Sequence, residues 1–353
     1  MDLSKAFDCI HHKHLLCKLH VYGVSRDACS LINSYLTNRQ QRVKIGNCRS
    51  AWTYIDKGVP QGSILGPLLF NVFMNDIFYC LNNTSYLYNY ADDNTLSFWD
   101  KVISVVIQRL EESANTSVTW FTENQMQANP TKFQCFLISR GNATSNVTMH
   151  IADSVVYPEK TAKLLGIHLD EKLNFDGHVS TLCRKAAWQI NAMARIAKYL
   201  DTASRLKIFY AFILSNFHYC SIIWHFCSKK NQIKLEKLQK RALQVTMNDY
   251  TSSYSDLLEL AKTPSLYVLR LKCIATETYK CINKISPSYL HDMFILNENE
   301  YNLRNQHVVV QPLVRTEKCG YQSFRYQGAK IWNELPNHIK CCDEFLSFIN
   351  AID

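Results

Sequence analysis

Tyr86-Leu87-Tyr88-Asn89-Tyr90-Ala91-Asp92-Asp93-Asn94-Thr95-Leu96-Ser97-Phe98-Trp99 is the stretch on which the fold and chemistry of this chain turn. Aromatic and β-branched residues at 86–90 and 95–99 predict two short strands. The polar run Ala91-Asp92-Asp93-Asn94 predicts the hairpin turn between them. Two adjacent aspartates then share one solvent-facing tip, where like charges repel unless a cation is held there. Hard divalent cations take oxygen ligands, and Mg²⁺ uses one or two carboxylates together with substrate phosphates. A third carboxylate from a neighbouring strand completes a two-metal site that activates an attacking hydroxyl and stabilises a pentavalent phosphorus centre. Taken alone, Asp92-Asp93 reads equally well as an ordinary polar turn.

Around this hairpin, positions 1–175 mix periods. Residues 42–46 alternate and end at Gly46, a strand signal, and 133–138 and 164–169 read as further strands. Residues 65–77 are apolar and helix-like, opening at Gly66-Pro67. Val102, Val105, Val106, Leu110, Ala114, Val118 and Phe121 follow helical spacing, and Asn129-Pro130 closes that segment. Strands and helices interleaved with tight hairpins predict an α+β fold with an antiparallel sheet and packed helices, rather than a doubly wound parallel sheet. After residue 176 the strand signals thin out. Helices are predicted over 179–200, 204–224, 229–246 and 265–285, and 291–353 is less regular. The domain reading is therefore 1–175, 176–290 and a C-terminal extension, 291–353.

Composition narrows the function. The 353 residues are 47% hydrophobic and 20% charged. That balance excludes a wholly disordered chain. No apolar run approaches the roughly 20 residues of a membrane span, and the first residues do not read as a signal peptide. An intracellular setting, nucleus or cytoplasm rather than secretion, is expected, with the 14 cysteines reduced and in the core. The net charge is +9, and nearly all of it falls after residue 175. A neutral half joined to a basic half fits a reactive centre beside a polyanion-holding module, and fits surface solubility equally well. Lys229, Lys230, Lys234, Lys237, Lys240 and Arg241 cluster on one predicted helix with only Glu236 against them. His218, Cys220, His225 and Cys227 invite a zinc reading, but residues two apart on a helix point to opposite sides, so core packing is favoured.

Two more segments accompany the hairpin: Asp2-Leu3-Ser4-Lys5-Ala6-Phe7-Asp8 and Gly58-Val59-Pro60-Gln61-Gly62-Ser63-Ile64-Leu65-Gly66-Pro67. In this order the three resemble motifs A, B and C of the reverse transcriptases of non-LTR (LINE-type) retrotransposons, near the jockey and CR1 groups. Asn129-Pro130-Thr131-Lys132 is similar to motif D, and Leu164-Leu165-Gly166-Ile167-His168-Leu169-Asp170 to motif E. The resemblance runs through essentially the whole chain and is strongest over 2–170.

The resemblance implies a polymerase palm followed by a helical thumb-like domain. It implies an RNA-directed DNA polymerase that joins deoxynucleotides to a primer 3′-hydroxyl, with an RNA template, a DNA primer and Mg²⁺ (Mn²⁺ as a substitute). Asp2, Asp92 and Asp93 become the metal-binding carboxylates, Asp93 the less direct one. Phe7 falls at the steric gate that excludes a sugar 2′-hydroxyl, although without the motif it reads as a core aromatic. Gln61 lies against the incoming nucleotide, Lys132 approaches the leaving pyrophosphate, and Leu165-Gly166 belongs to the primer-grip hairpin. The basic helix becomes a thumb element tracking duplex phosphates. Only Met1 precedes Asp2, so the fingers and the endonuclease of such elements are expected to lie outside this sequence, as in a truncated copy or an incomplete gene model. A catalytically inactive, nucleic-acid-binding remnant is the alternative reading.

Overall fold

A computed structural model describes residues 1, 3–81, 85–139, 147–297 and 307–352. The chain divides into two units, Met1–Ala162 and Lys163–Asp353. The first mixes helices with small, mostly antiparallel strand pairs, and the second is largely helical, an α+β arrangement. The boundary falls between Ala162 and Lys163 rather than at position 175, because Ile167 and Phe175 are buried in the core of the helical unit with Val179 and Leu182. Among the described residues no helix is long and apolar enough to cross a membrane.

In the first unit, strand Tyr86–Tyr90 pairs antiparallel with strand Asp93–Ser97, with Tyr90 opposite Asp93 and Asn89 opposite Asn94. Tyr86, Tyr88 and Tyr90 face solvent, whereas Leu87 packs on the main core of this unit and Leu96 on a second cluster. The turn is therefore the two residues Ala91-Asp92, not the four expected, and the second strand starts at Asp93. The remaining strands are short. Instead of one continuous antiparallel sheet the described residues carry two-stranded pieces, and one of these, Cys135–Phe136 with Pro158–Glu159, is parallel.

Helix Leu65–Met74 buries Leu69, Phe70, Phe73 and Met74 against Leu15 and Leu19 of helix His12–Val21. Helix Ile103–Glu123 closes this core with Trp120 and Phe121. Lys18 ties the three helices together. Its Nζ lies 2.7 Å from Asp76, donates to the Phe73 carbonyl at 2.8 Å, and stands over the Phe73 and Trp120 rings. Burial lowers its pKa, against the opposing pull of Asp76.

The second unit is built on helices Asp176–Ile196, Lys229–Met247 and Leu266–Ile282. Ser228 and Ser265 cap the last two by accepting the amides of Asn231 and Val268. The helix predicted over 204–224 is broken. It runs as Thr202–Ile208, a π-type turn Phe209–Leu214, Ser215–His218 and then Ser221–Trp224. The break falls at Cys220, at φ 47°, where the freed carbonyl of Tyr219 accepts Trp224 Nε1–H at 3.1 Å. The strand predicted over 164–169 is likewise interrupted by a turn, with Leu165 at φ 44° and Gly166 at φ 85°. Tyr219 donates its hydroxyl to the Leu165 carbonyl and packs beside Gly166.

Residues of the C-terminal extension have their own core, in which Tyr279 stacks on Phe348 with ring centroids 4.2 Å apart and Trp332 lies close by. Helix Leu266–Ile282 serves both cores of this unit, Leu266 and Leu269 in one, Ala275 and Tyr279 in the other.

Candidate functional site

The first four residues run beside the 86–97 hairpin. The Met1 nitrogen donates to the Asn94 carbonyl at 2.5 Å, and the Asn94 amide returns a bond to the Met1 carbonyl at 3.3 Å. On the other side Leu3 forms an antiparallel bridge with Ala128, and the Ser4 amide donates to the Gln127 carbonyl at 2.9 Å. The segment is thus held between strand Asp93–Ser97 and residues 127–128. Asp2 itself lies outside the described residues.

Asp92 occupies the hairpin loop and is half-buried, while Asp93 is an exposed strand residue opposite Tyr90. The two aspartates thus differ in setting, one in the loop and one in the strand. Pairing with Tyr90 and Asn89 places Asp93 and Asn94 in the strand, and Asn94 bonds Met1 as well. Asn94 is 1% exposed, and its side-chain amide donates to the Asp92 carbonyl at 2.9 Å, bracing the loop from inside. Its Oδ1, and both amide atoms of Asn89 opposite, are buried without a partner among the described residues. Ala91 takes a left-handed φ of 53°. Such a conformation destabilises an L-residue by roughly 1–2 kcal/mol.

Gln61 approaches the first motif from outside it, whereas Phe7 is part of it. Residues 58–62 fold directly onto the short helix Ala6–Cys9. The Gly58 amide donates to the Ile10 carbonyl at 2.7 Å, the Val59 amide to the Phe7 carbonyl at 3.0 Å, and His12 Nε2 lies 2.8 Å from the Gly58 carbonyl. A Cβ on Gly58 would stand 2.8 Å from Asp8 Cα, so the approach requires glycine. Gln61 Nε2 donates to Asp8 Oδ1 at 2.9 Å. Phe7 is half-buried and stacks on Phe70 with centroids 4.3 Å apart, so its ring belongs to the core edge as well as to the site. Lys132 is exposed at the end of a 3₁₀ turn, Pro130–Lys132.

The basic cluster is on one helix, as expected: Lys229, Lys230, Lys234, Lys237 and Arg241 are exposed and Lys240 is half-buried. It does not form one narrow stripe, because at 3.6 residues per turn Lys229 and Lys240 fall on one line, and Lys234 and Arg241 about 120° round. Lys237 lies between them. The second stripe borders a groove of about 620 Å³ against helix Asp176–Ile196, where Arg184 joins Lys234, Lys237 and Arg241. Asn191 Oδ1 accepts from Arg241 Nη2 at 2.6 Å and orients it. Glu236 is turned away from this groove, accepting from the Tyr254 hydroxyl at 2.5 Å and the Tyr267 amide at 2.8 Å.

Asp8, Asn94 and Arg184 are the site residues that sequence reasoning missed. Asp8 had a signal, its place in the first motif; the other two depend on contacts with distant segments. The zinc alternative finds no support, since among the described residues no three His, Cys, Asp or Glu side chains gather to hold a metal. His225 and Cys227 are core residues, whereas His218 is exposed and Cys220 half-buried, so core packing holds for two of the four. Burial, aided by Arg270, lowers the His225 pKa to about 4, and burial pushes the Cys227 thiol up to about 11. Of the 14 cysteines only Cys135, Cys183, Cys227 and Cys281 are fully buried, and all are free thiols, so the core expectation holds for those four.

A family profile described as reverse transcriptase (RNA-dependent DNA polymerase) matches residues 1–169. Over its first 169 residues the chain is therefore similar to the reverse transcriptases, and its relatives are RNA-directed DNA polymerases of mobile elements. It is 28% identical over 264 residues to the probable RNA-directed DNA polymerase from transposon BS of Drosophila melanogaster, covering 69% of this chain and 28% of that protein. It is 25% identical over 254 residues to the RNA-directed DNA polymerase from mobile element jockey of Drosophila funebris, covering 69% of this chain and 27% of that protein. It is 24% identical over 257 residues to the probable RNA-directed DNA polymerase from transposon X-element of Drosophila melanogaster, covering 69% and 27%. The chain thus spans just over a quarter of the length of these relatives.

Proposed function

We propose that the first unit, Met1–Ala162, is the palm of an RNA-directed DNA polymerase and that the second unit, as far as residue 290, is a thumb-like module holding duplex nucleic acid. The observation that carries this reading is the pairing of Met1 with Asn94. It sets the first-motif segment directly beside the Asp92-Asp93 hairpin, in the family whose profile covers these residues.

The donor set fits a divalent cation. Asp92 and Asp93 offer hard oxygen ligands, and neither carboxylate is committed to an ion pair among the described residues. Asp2 is the third carboxylate of the proposed set. Bound Mg²⁺, or Mn²⁺ in its place, would lower the pKa of a primer 3′-hydroxyl and offset charge on the transferring phosphoryl group. The chain's own residues orient the partners. Gln61, anchored on Asp8, presents its remaining amide atoms to a nucleotide. Phe7 narrows the space under the sugar from a ring position fixed by Phe70. Lys132 supplies a cation and a proton donor for the leaving pyrophosphate. Lys234, Lys237, Arg241 and Arg184 hold backbone phosphates of a primer–template duplex, with Lys229, Lys230 and Lys240 adding to the field. The protein works inside the cell, in nucleus or cytoplasm, where its free thiols stay reduced.

Primer extension on an RNA template with Mg²⁺, comparing the chain with its Asp92→Ala variant, tests the reading. Extension abolished by Asp92→Ala supports it, and extension surviving that change discards it. Nucleic-acid binding without extension by either protein returns the chain to the binding-only reading.

A further inference from the structure

The stripe of the basic helix that faces away from the Arg184 groove borders a second cavity, of about 560 Å³, between helices Lys229–Met247, Tyr254–Leu260 and the start of Leu266–Ile282. Its chemistry differs from that of the groove. The groove offers cations and no aromatic ring, whereas this cavity is walled by Tyr254, Tyr267 and Ile233 and rimmed by Lys229, Lys237 and Lys240. Ile233 is 57% exposed and Tyr267 45% exposed, so an apolar wall stands open to solvent inside a ring of lysines.

Behind this wall lies an unusual charge. Arg270 is 0% exposed, and all three of its guanidinium nitrogens lack a hydrogen-bond partner among the described residues. The guanidinium stands 6.0 Å from the Tyr267 ring and 5.4 Å from that of Trp224. The groups whose charges it feels include Glu236, Tyr254 and Tyr267, all three of which line the cavity. Through low-dielectric protein its field is screened far less than that of a surface lysine. Four cations therefore act on the cavity against the single carboxylate of Glu236.

Resting on the nucleic-acid reading above, we propose that this cavity holds an unpaired nucleotide of a single strand, its base against Tyr267 and Ile233 and its phosphates along Lys229, Lys237 and Lys240. The volume lies within the range of about 300–1,000 Å³ usual for small-molecule sites. Aromatic platforms beside a basic track are the physical basis of single-strand binding, because every base has a π-face. Lys229 and Lys240 are eleven residues apart, about 16 Å at 1.5 Å per residue, too far to serve one phosphate and suited to successive ones. A duplex keeps its bases stacked inside and cannot fill an apolar cavity of this kind. The two stripes of one helix thus divide the labour: paired strand in the Arg184 groove, unpaired strand beside Tyr267.

The test is fluorescence anisotropy with the full chain, a 12-nucleotide single-stranded RNA and a 12-base-pair RNA–DNA duplex. Ile233→Glu, at an exposed position that tolerates charge, and Tyr267→Ala are each expected to weaken single-strand binding by about tenfold, as befits a lost stacking contact. Both should leave duplex binding within about twofold, and Tyr267→Phe should behave as the unaltered chain. Arg184→Ala with Lys234→Ala should show the opposite selectivity. Equal losses for both ligands, or no loss with Ile233→Glu, overturn the cavity assignment while the nucleic-acid reading stands. Failure of the unaltered chain to bind either ligand overturns both. Adenosine monophosphate that competes as tightly as the strand would replace the strand with a free nucleotide and overturn the proposal.

Discussion

Met1 and Asn94 exchange two main-chain hydrogen bonds, the pattern of an antiparallel hydrogen-bonded pair. The pair sets the first residues of the chain against strand Asp93–Ser97 at Asn94, which is also in register with Asn89 of strand Tyr86–Tyr90. Since Asn94 also donates its side-chain amide to the Asp92 carbonyl, one buried residue couples the first-motif segment to the aspartate loop. Displacing residues 1–4 would remove support from that loop.

Gly58→Ala is expected to destabilise the chain far more than Gly62→Ala. Both glycines have positive φ, 83° and 79°. Each alanine therefore meets the left-handed penalty of roughly 1–2 kcal/mol. Only at Gly58 does the added carbon also meet backbone, 2.8 Å from Asp8 Cα and 3.0 Å from two carbonyl oxygens. Overpacking against main chain adds about 1–3 kcal/mol. Thermal unfolding of the two variants checks this, and equal losses would mean that the 58–62 segment does not lie on helix Ala6–Cys9.

Stability should fall as the pH drops from 6.5 toward 4, before ordinary carboxylates titrate. The His225 pKa is lowered from 6.5 to about 4 by burial and by Arg270, so the unfolded chain binds the proton more readily in that window. The stabilisation is complete above pH 6.5 and lost as pH falls through it, to a total of about 3 kcal/mol at 1.36 kcal/mol per pKa unit. Burial lowers the pKa values of His178 and His218 as well, which adds in the same direction. Urea denaturation across this range, with His225→Phe flattening the slope, is the measurement. A flat profile in the unaltered chain would contradict it.

The elements most legible in the sequence were those whose signal is local. The helices predicted over 229–246 and 265–285 are found as Lys229–Met247 and Leu266–Ile282, because helical periodicity acts within a few residues. Asp92 and Gln61 were legible through their motifs, and Gln61 does contact the first motif, through Asp8. Tertiary contacts decided the rest. Asp93 reads as a turn residue until its pairing with Tyr90 places it in the strand. Ile233 is an apolar residue of a predicted helix, yet it lines the tyrosine-walled cavity, since the core side of that helix is set by helix Asp176–Ile196. The break at Cys220 has no signal in its own segment, which keeps helical spacing through it. Arg184 is one cation among many until folding brings its helix alongside Lys234.

Arg270→Met is expected to stabilise the chain or leave it unchanged, the reverse of most buried truncations. Nothing among the described residues pairs with the guanidinium. The rings of Trp224 and Tyr267 offset only part of its desolvation. Replacing buried charge with an apolar side chain of similar volume can gain about 1–4 kcal/mol. The same change removes a cation that holds the His225 pKa down, so the acid-sensitive slope should shrink too. A loss above about 2 kcal/mol would show that Arg270 is satisfied, for example by ordered water.

The last expectation concerns how the Arg184 groove holds a duplex. Each phosphate neutralised by a cation releases condensed counterions, so the slope of log K against log salt counts contacts, at about 0.9 per phosphate on B-form DNA. Arg184, Lys234 and Arg241 come from two helices and border one groove, and Asn191 orients Arg241. If each meets one phosphate, the triple change to alanine should reduce the slope by about 2.7 and weaken all duplex sequences alike, because phosphate contacts carry no base information. Arg184 and Lys234 are simple surface truncations, each expected within about 0.5 kcal/mol of the unaltered stability. A thermal melt therefore separates lost binding from lost folding. Replacing Lys207, Lys262 and Lys284, which are exposed and not among the groove residues, supplies the charge-matched control for net positive charge alone. A control that lowers the slope as much as the groove variants would assign duplex binding to the general basic field of the second unit. An unchanged slope in the groove variants would return Arg184, Lys234 and Arg241 to a solvated surface.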